Sequence, residues 1–199
     1  MYLIVKQIFD YMFSFALAVI LSPLLIILAI LIKLDSKGPV LFKQKRIGKD
    51  NIEFDIYKFR TMRTDTPSDM PTHLFNNAES FITPIGKFLR KSSLDELPQL
   101  LNIIKGQMSF VGPRPALWNQ YDLIEARKKT GADRVKPGIT GWAQVNGRDE
   151  LPIDKKAGLD GYYVSHLCFI LDLNILFKTI FNVIKREGIS EGGPKERKN

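Results

Sequence analysis

The sequence predicts an α+β protein attached to a membrane by its N-terminus. Three observations carry that reading. Residues Tyr11–Ile32 hold no charge; a basic stretch with strand-period alternation follows them; and the remainder alternates short helical segments with Gly- and Pro-rich connections. At 199 residues, 45% apolar and 25% charged, the chain suits one packed domain plus an appendage and is too apolar for wholesale disorder. The expected divisions are a membrane segment at 1–34, a soluble domain at 35–187 and a polar tail at 188–199.

The run "YMFSFALAVILSPLLIILAILI" would be about 33 Å long as a straight helix, enough to cross a bilayer. It is too long for a secretory signal, and no Ala-x-Ala-like cleavage site follows it. A buried core helix apolar on all sides would need a larger protein around it. Ser22-Pro23 interrupts the run at its middle, where proline removes a backbone donor and forces a kink or break. The residues leave two geometries open: a kinked span, or a helix-break-helix that dips into one leaflet and returns. Lys6 precedes the run, and Lys33, Lys37, Lys43, Lys45 and Arg46 follow it. The positive-inside rule therefore puts the soluble part in the cytoplasm and leaves the short N-terminus unplaced.

Next, "GPVLFKQKRIGKDNIEFDIYKFRTMR" reads as two short strands around a Gly48–Asn51 turn. Ile52, Phe54 and Ile56 alternate with Glu53, Asp55 and Tyr57, the period of a half-buried strand. Residues 36–63 carry eight Lys/Arg against three Asp/Glu. That is either a solvated hairpin face or a basic surface held near lipid headgroups or phosphates. Residues 64–77 are polar and proline-punctuated, hence a loop. Short helices are expected over 84–91 and 94–105, a strand at "MSFV" entering a Pro-Arg-Pro turn, and a helix over 116–129. "VKPGITGWAQVNGRDELP" is too rich in Gly and Pro for a regular element, and a loop that long is often functional. A last helix is expected over 166–186. Its wide apolar face and basic end suit either a core helix or one lying in a membrane interface. The polar tail follows from Gly188.

The net charge of +8 favours an anionic partner. Cys168 is the single cysteine, so no intrachain disulfide forms, and His73, His166 and Cys168 are too few for a structural zinc site. An oxygen-ligand ion such as magnesium remains open. The candidate chemistry lies in "RKSSLDELPQLLNIIKG". Ser93 with Glu96 three residues on is a capping-box pattern; an alternative frame makes Asp95 the cap. Either way Asp95 and Glu96 fall in or beside a first helical turn, where the helix dipole favours negative charge and free N–H groups can bind phosphate. Acidic residues are ordinary at helix starts; their surroundings here are not. Arg90 precedes them and "GPRP" supplies Arg114 in a stiffened turn, and arginine holds phosphate through two donors. A carboxylate among arginines stays ionised and can ligate Mg²⁺ or attack phosphorus. Neither GxxxxGK[ST], GxGxxG nor Asp-x-Asp occurs.

With "GPVLFKQKRIG", "KFRTM", "RKSSLDELPQLLNIIKGQMSFVGPRP", "VKPGITGWAQVNGR" and "LDLNILFKT" in order after a Ser-Pro-broken apolar segment, the chain resembles the bacterial sugar transferases called small monotopic phosphoglycosyl transferases. The likeness covers nearly the whole chain. Within that group it looks most like the enzymes that start bacterial protein N-glycosylation with phospho-N,N′-diacetylbacillosamine. The resemblance implies a monotopic α+β fold: a re-entrant helix-break-helix at Ser22-Pro23, a small β-hairpin, and a mostly helical catalytic domain with amphipathic interfacial helices. It implies transfer of a sugar 1-phosphate from a UDP-sugar to undecaprenyl phosphate with loss of UMP, at the cytoplasmic face of the bacterial inner membrane among its phospholipids. Asp95 matches the nucleophile and Mg²⁺ ligand, Glu96 its catalytic partner, and Arg90 and Arg114 phosphate-holding positions. Lys58, Arg60, Arg148 and Asp160 match family motifs without an assigned role. Gln107 stands where many relatives have Asp.

The chemistry is consistent. Two phosphates meeting directly would repel, and a covalent aspartyl intermediate splits the transfer into two displacements. Two rival readings compete. A glycosyltransferase moving the sugar alone would release UDP. A basic membrane-attached module binding nucleic acid or lipid explains the net charge and the hairpin but not the paired carboxylates or Pro-Arg-Pro, so nucleic acid is not an expected partner.

Overall fold

The computed structural model describes residues 2–66, 78–147 and 151–185. It is a mixed helix and sheet structure, 62% helical. The N-terminal segment forms α1 (Tyr2–Ile20) and α2 (Ser22–Asp35). Proline at position 23 withdraws the N–H that would bond the Val19 carbonyl four residues back. The Ser22 hydroxyl donates to that same carbonyl at 2.7 Å, so the serine satisfies what the proline leaves open. Leu21 keeps helix-like angles (φ −85°, ψ −2°), and its neighbours' backbone bonds, Leu21 N–H to Leu17 O and Leu25 N–H to Leu21 O, continue. The break is thus a hydrogen-bonded bend. α1 begins well before Tyr11, taking in Lys6 and Asp10. Among the described residues it is the one helix long and apolar enough to cross a membrane by length and composition.

Each of these helices packs one stripe on the rest of the chain and exposes the other faces. Leu17 and Ala18, with Leu21, pack on Phe54, Ile56, Leu100, Ile103 and Met108. Leu28 and Ile32 of α2 pack with Phe59 and Leu89. Phe9, Met12, Phe13, Phe15 and Ile20 on α1, and Ile26, Ile27, Ile30 and Leu34 on α2, stay exposed.

The hairpin forms as expected, β1 (Leu41–Ile47) against β2 (Glu53–Phe59). The turn takes Asp50 and Asn51 to φ 55° and 60°, a left-handed region these two residue types tolerate. Phe54 and Ile56 are buried and alternate with exposed Glu53 and Asp55, while Ile52, at the turn, is exposed. Two expectations are corrected here, and one helix appears that was not expected. The helix expected from 116 starts later: Ala116–Leu117 is a strand, β4, pairing with the free edge of β1, and the helix α5 is Tyr121–Thr130. The "irregular" stretch holds β5 (Gly138–Thr140), parallel to β3 (Ser109–Val111), and one turn, α6 (Trp142–Val145); such short pieces carry no period to read. A helix without a clear sequence signal, α7 (Ile153–Ser165), buries Ala157, Asp160 and Tyr163, a stripe that is not apolar enough to register.

α3 (Pro84–Ser92) matches its expectation. The helix expected over 94–105 is a 3₁₀ helix, Leu94–Gln99, followed by α4 (Leu100–Ile104), because Pro98 cannot donate within a continuous α-helix. The last helix, α8 (Phe169–Lys185), starts after His166, which ends α7. Ile175 and Asp172 are its buried residues. Ile175 packs with Val111 and Tyr163, whereas Phe169, Ile170, Phe177, Ile180 and Phe181 are exposed. Asp172 accepts hydrogen bonds from Tyr2 Oη and Lys6 Nζ at 2.6 Å each and from Tyr163 Oη at 2.8 Å, tying the start of α1 to α8.

Candidate active site

The predicted carboxylates are placed by a change of helix type. Ser93 adopts φ 57°, and its N–H bonds back to the carbonyls of Arg90 and Leu89. It closes α3, and its side chain makes no cap bond to Glu96, so the capping-box reading is corrected. The left-handed residue turns the chain into the 3₁₀ helix, with Asp95 and Glu96 in its first turn. Leu94 and Leu97 of this turn pack on the cluster that holds α2, so the carboxylates ride on the element that anchors that helix.

β2 ends beside them. Lys58 Nζ lies 2.6 Å from Glu96 Oε1 and 3.9 Å from Asp95 Oδ2, and Arg114 Nη1 lies 3.5 Å from the same Glu96 oxygen. Burial raises the Glu96 carboxyl, but Lys58 and Arg114 outweigh it and hold the group low, at about 2. Asp95 goes the other way: burial raises it, Lys58 only partly offsets that, and the neighbouring Glu96 charge adds to the rise. Among the described residues Asp95 accepts no hydrogen bond, and Lys58 is its one ion-pair partner. Two adjacent acids therefore differ: Glu96 is engaged by cations, and Asp95 retains lone pairs.

Not every predicted residue converges here. Arg90 donates through Nε to Thr61 Oγ1 at 2.9 Å, and from beside the end of β2 its charge still acts on Asp95, pulling that carboxyl down. Arg60 is buried and turned towards α2, donating to the carbonyls of Lys37 and Ser36 at 2.5 and 2.6 Å. It caps the end of α2 and is not brought to the carboxylates. Asp160 pairs with Arg127 at 2.7 Å. Arg148 lies outside the described residues. Gln107 accepts from Asn102 Nδ2 at 2.9 Å, and Asn102 also bonds the backbone of Asp55 and Tyr57, so this departure has a packing role. Sequence reasoning missed Thr61 and Arg127. Thr61 sits inside the quoted "KFRTM"; Arg127, a basic residue in the last turn of a helix, gives no signal of its own.

Among the described residues no three His, Cys, Asp or Glu side chains gather as a metal cage. Magnesium does not require one, since it keeps waters and takes one or two carboxylates together with substrate phosphates. Asp95, with lone pairs free among the described residues and Lys58 beside it, fits such an ion.

The chain is similar to known proteins over nearly its whole length. A family model described as bacterial sugar transferase matches residues 1–186. The sugar transferase EpsL of Bacillus subtilis (strain 168) is 41% identical over 189 residues, 95% of this chain and 92% of that protein. An undecaprenyl-phosphate glucose phosphotransferase of Komagataeibacter xylinus is 43% identical, covering 88% of this chain and 35% of its own length. A UDP-N-acetylgalactosamine-undecaprenyl-phosphate N-acetylgalactosaminephosphotransferase of Aeromonas hydrophila is 37% identical, covering 92% and 44%. The chain thus spans less than half the length of these last two, whose names state a reaction. A match of this kind over nearly the whole sequence means that the chain belongs to the bacterial sugar transferase family.

Proposed function

We propose that the protein moves a sugar 1-phosphate from a UDP-sugar onto undecaprenyl phosphate and releases UMP, through a covalent intermediate on Asp95. The observation that carries this is the contrast between the adjacent acids: Glu96 bound by Lys58 and Arg114, Asp95 with lone pairs to spare. A carboxylate oxygen of Asp95 attacks the phosphorus that bears the sugar. The bond from that phosphorus to the bridging oxygen breaks, and UMP leaves. A phosphate oxygen of the lipid then attacks the same phosphorus, frees the Asp95 carboxylate and forms the lipid diphosphate sugar. Lys58 and Arg114 offset charge on the phosphates, and Glu96, ionised and doubly paired, holds those cations in place. Mg²⁺ bound at Asp95 would further neutralise the donor's diphosphate.

The attachment we propose is a re-entrant dip. Both ends of the α1–α2 pair are tied to the same domain, Tyr2 and Lys6 to Asp172 and the end of α2 to Arg60. Such ties favour a pair that returns to its starting side over one that crosses. The exposed apolar faces of α1, α2 and α8 then meet lipid at the inner-membrane surface, with the soluble domain in the cytoplasm. The sequence likeness favours UDP-N,N′-diacetylbacillosamine as donor, for protein glycosylation.

The test is a panel of UDP-diacetylbacillosamine, UDP-glucose and UDP-N-acetylgalactosamine with undecaprenyl phosphate and Mg²⁺. Without the lipid, the enzyme should release up to one UMP per site and gain the mass of a sugar phosphate. Release of UDP, or a need for both substrates before any UMP appears, overturns the mechanism.

A further inference from the structure

The turn that presents Arg114 cannot hold itself. Pro113 and Pro115 flank the arginine, and neither has an N–H to donate. Its three consecutive carbonyls are instead met from three separate elements. Pro113 O accepts from Gly138 N–H of β5 at 3.0 Å, Arg114 O from Arg127 Nη1 of α5 at 2.7 Å, and Pro115 O from Arg46 Nη1 of β1 at 3.1 Å. The close approach on the first side needs glycine, since a Cβ at Gly138 would lie 2.1 Å from Gly112 N.

Arg127 has the most constrained of the three roles. Its Nε and Nη2 both donate to Asp160 Oδ2, at 2.9 and 2.7 Å, which aims Nη1 at the Arg114 carbonyl. Asp160 is 1% exposed and Arg127 7%. Gly161, where a Cβ would lie 2.7 Å from Thr130 Cβ, lets α7 come close enough to α5 to place that carboxylate. An ion pair buried this deeply has no net advantage over an apolar pair of the same volume. What it supplies is a donor of fixed direction, because the guanidinium is a rigid fork. We propose that Arg127, oriented by Asp160, is a positioning residue that sets where Arg114 meets the substrate phosphate. The inference rests on the reading above that Arg114 acts at the site.

A double-mutant cycle in the full-length membrane protein tests it. UMP release is measured with undecaprenyl phosphate and the donor panel for the native chain, Arg127→Lys, Arg114→Lys and the pair, with thermal unfolding alongside. A lysine cannot serve Asp160 and the Arg114 carbonyl together. Arg127→Lys should therefore fold and lose kcat/KM about tenfold, and should lose almost nothing further once Arg114 is already Lys. If the two losses multiply, Arg127 is a structural residue only and the inference falls. If Arg114→Lys leaves turnover unchanged, or the native chain releases no UMP, the reading of the site falls and takes the inference with it. If Arg127→Lys does not fold, Asp160→Asn, which keeps shape and removes one charge, replaces it in the same cycle; failure of both to fold assigns the pair to stability and also overturns the proposal.

Discussion

Two buried ionic clusters invite comparison. One joins Lys58, Asp95, Glu96 and Arg114; the other joins Tyr2, Lys6, Tyr163 and Asp172. Both mix carboxylates with cations and both are largely withdrawn from water, while the second also ties α1 to α7 and α8. They differ in what their carboxylates have left to give. Asp172 accepts three hydrogen bonds from three donors on α1 and α7, which take up most of its acceptor capacity. Asp95 accepts none. Burial and charge by themselves do not mark a reactive group, since a saturated cluster costs as much desolvation as an open one. An acid kept short of donors next to one that has them marks it better.

The comparison breaks or holds first at Asp95. Asp95→Asn keeps the volume and removes the attacking oxygen, so UMP release and the sugar-phosphate adduct should fall at least roughly a thousandfold with unfolding unchanged. An adduct mapped to Glu96 instead would invert the assignment of the pair. The mirror experiment is Asp172→Ala. It leaves the Lys6 ammonium and the Tyr2 hydroxyl without their acceptor, while Tyr163 Oη keeps the Val111 carbonyl, and should cost about 3 kcal/mol of stability, read by thermal or denaturant unfolding, while activity per folded molecule holds. A large loss of turnover at full stability would make the second cluster functional too.

Glu96→Gln sharpens the contrast within one cluster. If Glu96 orients Lys58 and Arg114, turnover should drop about ten- to a hundredfold while labelling of Asp95 without lipid persists. The same variant carries a pH signature. Glu96 is held at about 2 in the folded chain, below its ordinary 4.5. Its ionised form therefore contributes stability above about pH 4.5, and that contribution is lost as pH falls towards 2. Acid unfolding followed in EDTA should show that loss in the native chain and lack it in Glu96→Gln. The smallest expected effect is at α8. Phe169, Leu173 and Phe177 are 63%, 37% and 61% exposed, so replacing all three by Ser should leave the fold intact and lower partitioning onto vesicles about tenfold. Unfolding of that triple variant would make α8 a core helix.

Much of this was legible in the residues. The hairpin could be read because Phe54 and Ile56 alternate with Glu53 and Asp55, and the bend because Ser22-Pro23 stands in an otherwise charge-free run. β4, β5 and α7 could not. β4 and β5 are too short to show a period, and α7 buries Asp160 in its stripe because Arg127, distant in sequence, is there to meet it. The capping-box reading of Ser93 was locally sound, and it failed because Ser93 is needed to end α3. The candidate residues likewise separated only in three dimensions: Lys58 and Arg60 are two apart in sequence, yet Lys58, still on β2, meets Glu96, and Arg60, just past its end, caps α2.

The sequence by itself determined the apolar N-terminal segment, its break, the hairpin and the pairing of two acids with nearby arginines, because these follow from short-range hydrophobicity, proline geometry and alternation. Tertiary structure alone decided which acid is saturated, which arginine faces the site and which holds the turn behind it. Those outcomes depend on donors from segments far apart in the chain arriving at one oxygen, and no local pattern encodes that meeting.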